Sequence, residues 1–295
     1  MPAHDDHGFI RLFDGVSLEG WHAVPRRYGQ VYPGGPPLAE VLPSLPPGYD
    51  EEAQAHPAVW SVVDGAIEGR QDPGHPGFGG YLVSDQAFGD FELELELKPD
   101  WPADTGVMVR RLRDNWAGFQ VLVDHRKSGS IGGFYGNGIG GFHAVPFVLD
   151  VRVDAAGRPD GLVEEDPATT LEPLTADKRA MLGQAGEVGE FLRSWRWQGW
   201  NHLRVRCVGD PPVLTTWVNG NLTAELDTAT IRHPQYDAGR VAGFLGPSGH
   251  LAFEVHDNDP MMGTARWGRD ARCRWRDIKI RVLDPVRGSG ADPTS

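Results

Sequence analysis

The sequence predicts an all-β protein, a sandwich of two antiparallel sheets with long loop insertions. Three observations predict it. First, DFELELELKPDW (90–101), DTGVMVRRL (104–112) and GFQVLVDHR (118–126) alternate in period two over consecutive runs, as half-buried strands do because their side chains point to opposite faces. Second, strand-like runs recur at short intervals while only TADKRAMLGQ (175–184) reads as a helix, so the βαβ rhythm of a parallel sheet is missing. Third, Asn219-Gly220 sits between two such runs, and a type I′ hairpin turn needs positive φ at both central positions. No internal repeat supports a propeller.

Taken in order, strands are expected at 10–13, 60–63, 66–69, 80–84, 90–98, 106–112, 118–124, 130–135, 201–208, 213–218, 222–226, 240–245, 250–256 and 273–283. In 90–98, Phe91, Leu93, Leu95 and Leu97 lie opposite Glu92, Glu94 and Glu96. In the next two runs Val107 and Val109 lie opposite Met108 and Arg110, and Phe119, Val121 and Val123 opposite Gln120, Leu122 and Asp124. The three runs are expected to share one apolar and one charged face, the surface that a sugar-handling sandwich presents. Two stretches fit no strand pattern, 22–59, dense in Pro and Gly, and 139–198. Long structureless loops in a compact domain are usually functional, so both are read as excursions covering the mouth of a site.

At 295 residues the chain is expected to form one domain, with its core over about 9–283 and a flexible tail at 284–295. The 39 Gly and 24 Pro mark many turns, and 40% hydrophobic residues suffice for a sizeable core. With 28 Lys and Arg against 41 Asp and Glu, the formal charge of −13 repels phosphate backbones and anionic lipid. Nucleic acid and membrane partners are therefore not expected; a small sugar is, and a homo-oligomer stays open. MPAHDDHGFIRLFDG lacks the basic and apolar regions of a signal peptide, so a cytoplasmic location is expected. Cys207 and Cys273 lie in apolar strand patterns and are expected as buried free thiols.

RLFDGVSLEGW (11–21), WSVVDGAIEG (60–69), GGYLVSDQAFGDFELELELK (79–98), DTGVMVRR (104–111), GFQVLVDH (118–125), GWNHLRVRC (199–207), TTWVNGNLTAELD (215–227) and CRWRDIKIRVL (273–283) follow one another in this order. In that order they resemble the DUF1080 family, also called 3-keto-disaccharide hydrolase. The resemblance spans roughly residues 9–283 apart from the excursions. It implies a concanavalin A-like jelly roll, related to glucanases and lectins. It also implies cleavage of a 3-keto-glycoside. A sugar oxidised at C3 has an acidified C2 hydrogen, so a base can remove it, the C1 substituent can leave, and water can add to the unsaturated sugar. Such a site needs a base near C2, a cation or donor at the C3 oxygen and an acid at the leaving group. No nicotinamide is consumed. The chain departs from the family where Asp104-Thr105-Gly106 replaces Asn-Ser-Gly, where Gln120 replaces Glu, and where Glu254 replaces a Gln ahead of His256. Many members are secreted, so the missing signal peptide points to a small imported substrate.

The richest constellation lies in GRVAGFLGPSGHLAFEVHDND (239–259), where Glu254 and His256 share the face opposite Leu251, Phe253 and Val255. Two residues along a strand span roughly 6.6 Å, so both groups can reach one substrate or one ion. His256 is the first choice for base or metal ligand. With Glu254, Asp257 and the following Asp259 it offers ligands for Mn²⁺, Mg²⁺, Ca²⁺ or Zn²⁺; a turn cluster is the alternative. Arg110 matches the Arg of the family's Gly-x-x-x-Arg motif, and either holds the enolate oxygen or neutralises nearby carboxylates. Glu96 is the preferred acid or base among the three Glu of its run. Gln120, Asp124, His125, Trp197 and Trp267 are the substrate-contacting candidates, with Met261-Met262 beside Trp267, whereas Trp21, Trp60, Trp217 and Trp275 are expected in the core. Two other functions stay open, a two-carboxylate glycoside hydrolase using Glu94 and Glu96, and a binding sandwich without catalysis. The Glu-x-Asp-x-x-Glu signature of laminarinase-type sandwiches is absent.

Overall fold

Alternating runs become antiparallel strands in the computed structural model, which describes residues 8–29, 31–41, 45–258 and 266–283. In chain order these are β1 (Ile10–Arg11), β2 (Trp21–Pro25), β3 (Val59–Val63), β4 (Ala66–Arg70), β5 (Gly80–Phe88) and β6 (Phe91–Pro99). Then come β7 (Thr105–Arg111), β8 (Gly118–Val123), β9 (Ile131–Asn137), β10 (His143–Ala144), β11 (Leu149–Val153) and β12 (Pro159–Glu164). The last are β13 (Gln184–Ala185), β14 (Asn201–Val208), β15 (Val213–Val218), β16 (Asn221–Asp227), β17 (Gly249–Val255) and β18 (Cys273–Val282). Short helices interrupt them: α1 (Leu38–Val41), α2 (Tyr49–Ala55), α3 (Ala176–Ala180), α4 (Val188–Ser194) and α5 (Ala238–Leu245).

One sheet runs β13-β16-β15-β14-β6-β18-β4-β3 with β1 beside β18; the other runs β10-β9-β8-β7-β17-β5-β2, and β11-β12 is a separate hairpin. All these pairs are antiparallel. The result is a concanavalin A-like jelly-roll sandwich. Leu93, Leu95, Val205 and Ile280 of one sheet and Val107, Phe119, Val121 and Phe253 of the other belong to one buried core. Phe253 stacks between Trp21 at 5.1 Å and Trp275 at 4.9 Å, tying the sheets together. Asn219 (φ 49°) and Gly220 (φ 84°) form the expected turn between β15 and β16. Cys207 and Cys273 are free and buried. Among the described residues no helix is long and apolar enough to cross a membrane.

Several expectations are corrected. The three runs at 90–126 do not share a face, because β6 pairs with β14 and β18 while β7 and β8 belong to the opposite sheet. Alternation sets which side chains of a strand share a face, but not which sheet the strand joins. Residues 240–245 lie in α5, where Asp237 accepts a hydrogen bond from the Arg240 N–H at 2.9 Å and Gly246 (φ 75°) ends the helix. The excursions are not free of strands: 22–59 begins within β2, and 139–198 holds the β11-β12 hairpin. The helix read at 175–184 shortens to α3, capped by Thr175. Trp217 is half-buried with Arg204 at 4.7 Å from its ring centroid, rather than in the core. Residues 284–295 lie outside the described residues.

Candidate active site

Side chains of the seven-stranded sheet that alternate with the core face a cleft of about 720 Å³. Its floor is Gln120 and Leu122 of β8 with Tyr135 and Asn137 of β9; Phe119, Val121 and Phe134 point the other way, into the core. Both excursions contribute to its lining, the first Arg26 and Tyr28, the second His143, Glu172 and Lys178. A second apolar cluster packs Tyr28, Tyr49 and Ala53 of the first excursion against Tyr81, Val83, Met108 and Ala252 on this face of the sheet. Gly106 on β7 gives Gln120 its room, since a Cβ there would lie 2.6 Å from Gln120 Cγ.

Arg26 is the centre of the site. Its Nε donates to Glu254 Oε1 at 2.8 Å, Nη1 to Asp257 Oδ1 at 2.9 Å and to the Tyr28 hydroxyl, and Nη2 reaches His256 Nε2 at 3.1 Å. Glu254 and Asp257 are fully buried. Burial, the largest single influence, would raise both carboxyl pKa values, but the Arg26 guanidinium together with the neighbouring charge and hydrogen-bond donors outweighs it and holds both below the usual range. The hydroxyls of Tyr28 and Tyr49, kept protonated by burial, donate to Asp257. His256 Nδ1 lies 2.8 Å from both Asp257 Oδ1 and the Asp257 carbonyl. A guanidinium can only donate, so Nε2 accepts from Arg26 and the imidazole proton sits on Nδ1, oriented by Asp257.

Glu254 Oε2 accepts from Gln120 Nε2 at 2.6 Å, and Gln120 Oε1 from Asn137 Nδ2 at 2.9 Å, a buried relay along the floor. Asn137 Oδ1, Ser130 Oγ and Trp116 Nε1 are buried without a partner among the described residues, and all three residues line the cleft. Beside them Arg126 holds Asp124 with Nε at 3.0 Å and Nη2 at 2.9 Å and reaches Asp104 Oδ2 at 3.1 Å, where Arg266 also binds at 2.8 Å. Asp104 Oδ1 receives none of these contacts. Burial, then the neighbouring Asp124, raises the Asp104 pKa, while Arg126 overcomes burial to lower that of Asp124.

Of the expected site residues, Gln120, Asp124 and His256 line the cleft, and Glu254 and Asp257 lie against it through Arg26. The others are elsewhere. Glu96 pairs with Arg276 at 2.6 Å and Glu94 with Lys279 at 3.0 Å, both between β6 and β18 in the other sheet. Arg110, at φ 50°, breaks the alternation of β7 and turns toward the other sheet, where it meets Cys207, Asp90 and the carbonyls of Pro247 and Gly209. Trp267 is buried in the core with its Nε1 donating to the Ala271 carbonyl at 2.8 Å. His125 is buried against Trp101 (5.4 Å) and Trp197 (5.8 Å), and neither it nor Trp197 lines the cleft. Asp259, Met261 and Met262 lie outside the described residues. Glu254, His256 and Asp257 do not fit a metal ion as arranged, because Arg26 stands among them; no group of three or more His, Cys, Asp or Glu among the described residues is placed to hold one. Sequence reasoning missed Arg26, Tyr28, Tyr49, Asp104 and Asn137. Asp104 carried a signal, as a departure from the resembled motif; Arg26 carried none.

The class by fold is a jelly-roll sandwich with a polar cleft over one sheet, and the family the chain matches makes it a carbohydrate-active domain. The chain belongs to the 3-keto-α-glucoside-1,2-lyase-like family, matching it over residues 8–281. Among solved structures it is similar to a protein of Parabacteroides distasonis assigned as a glycosyl hydrolase, at 13% identity over 96% of this chain and 99% of that one, with a TM-score of 0.46. It is also similar to the β-glucanase of Bacillus licheniformis, at 9% identity over 94% and 97% of the chains (TM-score 0.42). A third is the carbohydrate-binding module CBM66 of Bacillus subtilis, at 13% identity over 76% and 91% (TM-score 0.40). No curated protein matches.

Proposed function

We propose that the protein cleaves a 3-keto-glycoside by removing the C2 proton, eliminating the C1 substituent and hydrating the product. The observation that carries this reading is the 3.1 Å separation of His256 Nε2 and Arg26 Nη2 in residues lining the cleft. The C2 hydrogen and the C3 oxygen of a keto-sugar sit on adjacent carbons, so the base and the cation that grip them must themselves be neighbours. Substrate draws the Arg26 Nη2–H away from His256 Nε2 and onto the C3 oxygen; the freed Nε2 lone pair takes the C2 proton, and the C–H electron pair forms the enolate, whose oxygen Arg26 holds. Asp257 keeps His256 in the required tautomer and stabilises the imidazolium, as a carboxylate does in an Asp–His pair. The C3 carbonyl then re-forms as a C1–C2 double bond develops and the C1–O pair departs on the aglycone. Asp104, whose carboxyl burial and the neighbouring Asp124 favour in the protonated form and whose Oδ1 receives none of the Arg126 and Arg266 contacts, supplies the proton to that oxygen. Water adds at C1 and gives its proton to the Asp104 carboxylate while His256 returns its proton to C2, which restores both groups.

Two further features support the reading. A cleft of this volume falls within the roughly 300–1,000 Å³ range of small-molecule sites. Its unpartnered acceptor on Asn137, donor on Trp116 and hydroxyl on Ser130 complement a polyhydroxylated ligand, whose groups both donate and accept. The test is aglycone release from a 3-keto-glucoside and from its unoxidised parent. Release is expected from the keto form only, and His256→Gln is expected to lower it by about 10²–10⁴-fold, the usual worth of a general base. Equal release from the parent, or full activity of the variant, refutes the proposal.

A further inference from the structure

We infer that Arg26 is the built-in cation of this site, standing among Glu254, His256 and Asp257 and excluding a divalent metal ion from them. Glu254 and His256 come from alternate positions of β17 and its end, and Asp257 follows directly, so three groups with metal-ligand chemistry converge by strand geometry alone. The chain fills their centre itself. Arg26 arrives from the nearer edge of the sheet, just beyond β2 and two strands from β17, and its backbone N–H donates to the Gly79 carbonyl at 3.2 Å. Its guanidinium lies 4.8 Å from the Tyr28 ring centroid. Four of its five N–H groups are engaged, by Glu254, Asp257, the Tyr28 hydroxyl and His256, which leaves one Nη2–H for a ligand oxygen in the cleft. A metal ion entering the same place would have to expel a buried guanidinium or share the space with it, and two like charges in a dry site repel strongly.

That Arg26 Nη2 holds the C3 oxygen rests on the keto-sugar reading; that Arg26 keeps a metal ion out does not. The test therefore needs no substrate. Protein dialysed against EDTA is titrated calorimetrically with Mn²⁺ and with Zn²⁺, as wild type, His256→Gln, Arg26→Met and the double variant. The expected result is no one-to-one site in the wild type, a new one in Arg26→Met, and its loss in the double variant. A stoichiometric ion in the wild type that disappears in His256→Gln overturns the inference, and that measurement stands even if Arg26→Met does not fold. A folded Arg26→Met that gains no ion also overturns it, since Arg26 would then not be what keeps an ion out. Failure of the keto-sugar reaction shows instead as missing aglycone release with the titrations unchanged.

Discussion

Replacing Glu254 with Gln keeps the shape of the side chain and removes its charge from a fully buried place. Two bonds change character, those from Arg26 Nε at 2.8 Å and from Gln120 Nε2 at 2.6 Å. Hydrogen bonds to a charged group contribute about 1.5–3 kcal/mol each, and breaking a buried ion pair costs about 3–5 kcal/mol because the remaining charge is uncompensated. Part of the loss can be recovered. If the Gln120 amide turns over, its oxygen meets the new amide, and its nitrogen meets Asn137, whose Oδ1 lacks a partner and can accept after turning in the same way. What cannot be recovered is the charge that faces Arg26. We expect Glu254→Gln to lose about 3–5 kcal/mol, a large part of an ordinary stability of about 5–15 kcal/mol, and to lower Tm by roughly 10 °C. The sign with pH follows from the depressed pKa of Glu254 in the folded state. Its stabilisation is present above the unfolded value of about 4.3 and is lost as pH falls toward the folded one, so the variant should show a flatter acid limb. Urea denaturation at pH 7 and across the acid limb measures both effects, and a double cycle with Arg26→Met should give a coupling of about 2 kcal/mol or more. A loss below about 1 kcal/mol, or strict additivity with Arg26→Met, would refute the reasoning.

Two other outcomes are expected. Burial pushes the His125 pKa down to about 4, so the folded protein holds this ring neutral while the unfolded chain protonates it below about 6.5. Stability should therefore fall by about 3 kcal/mol between those pH values for this group alone; His125→Phe should remove that part of the slope, and an acid limb unchanged by the substitution would contradict the assignment. Cys207, raised by burial to about 11, and Cys273, raised likewise, should resist Ellman's reagent at pH 8 in the native protein and react fully in denaturant; rapid native reaction of either would show that its strand opens.

Much of the sandwich is legible in the sequence because a half-buried strand writes its two environments alternately along the chain. Phe119, Val121 and Val123 against Gln120, Leu122 and Asp124 is such a case, and both sides are where the pattern put them. Alternation fails where the backbone leaves the extended region. At Arg110 the left-handed backbone redirects a side chain that the pattern assigned to the charged face, and in α5 an Asp cap and a terminal Gly convert an alternating run into a helix. Glu96 fails for another reason: its face is as predicted, but the chain carries β6 into the opposite sheet.

The sequence by itself determined the strand class, the turn at Asn219-Gly220 and the pairing of Glu254 with His256 on one face, because each depends on residues close along the chain. Only the tertiary structure decided which sheet each strand joins and which cation meets that pair. Arg26 lies 228 residues before Glu254. No local pattern marks it, and its position results from the apolar cluster that packs Tyr28 and Tyr49 against Tyr81, Met108 and Ala252. The site is therefore a product of long-range burial: the hydrophobic packing of an unpatterned loop brings a guanidinium over two carboxylates and an imidazole that their own strand had already gathered.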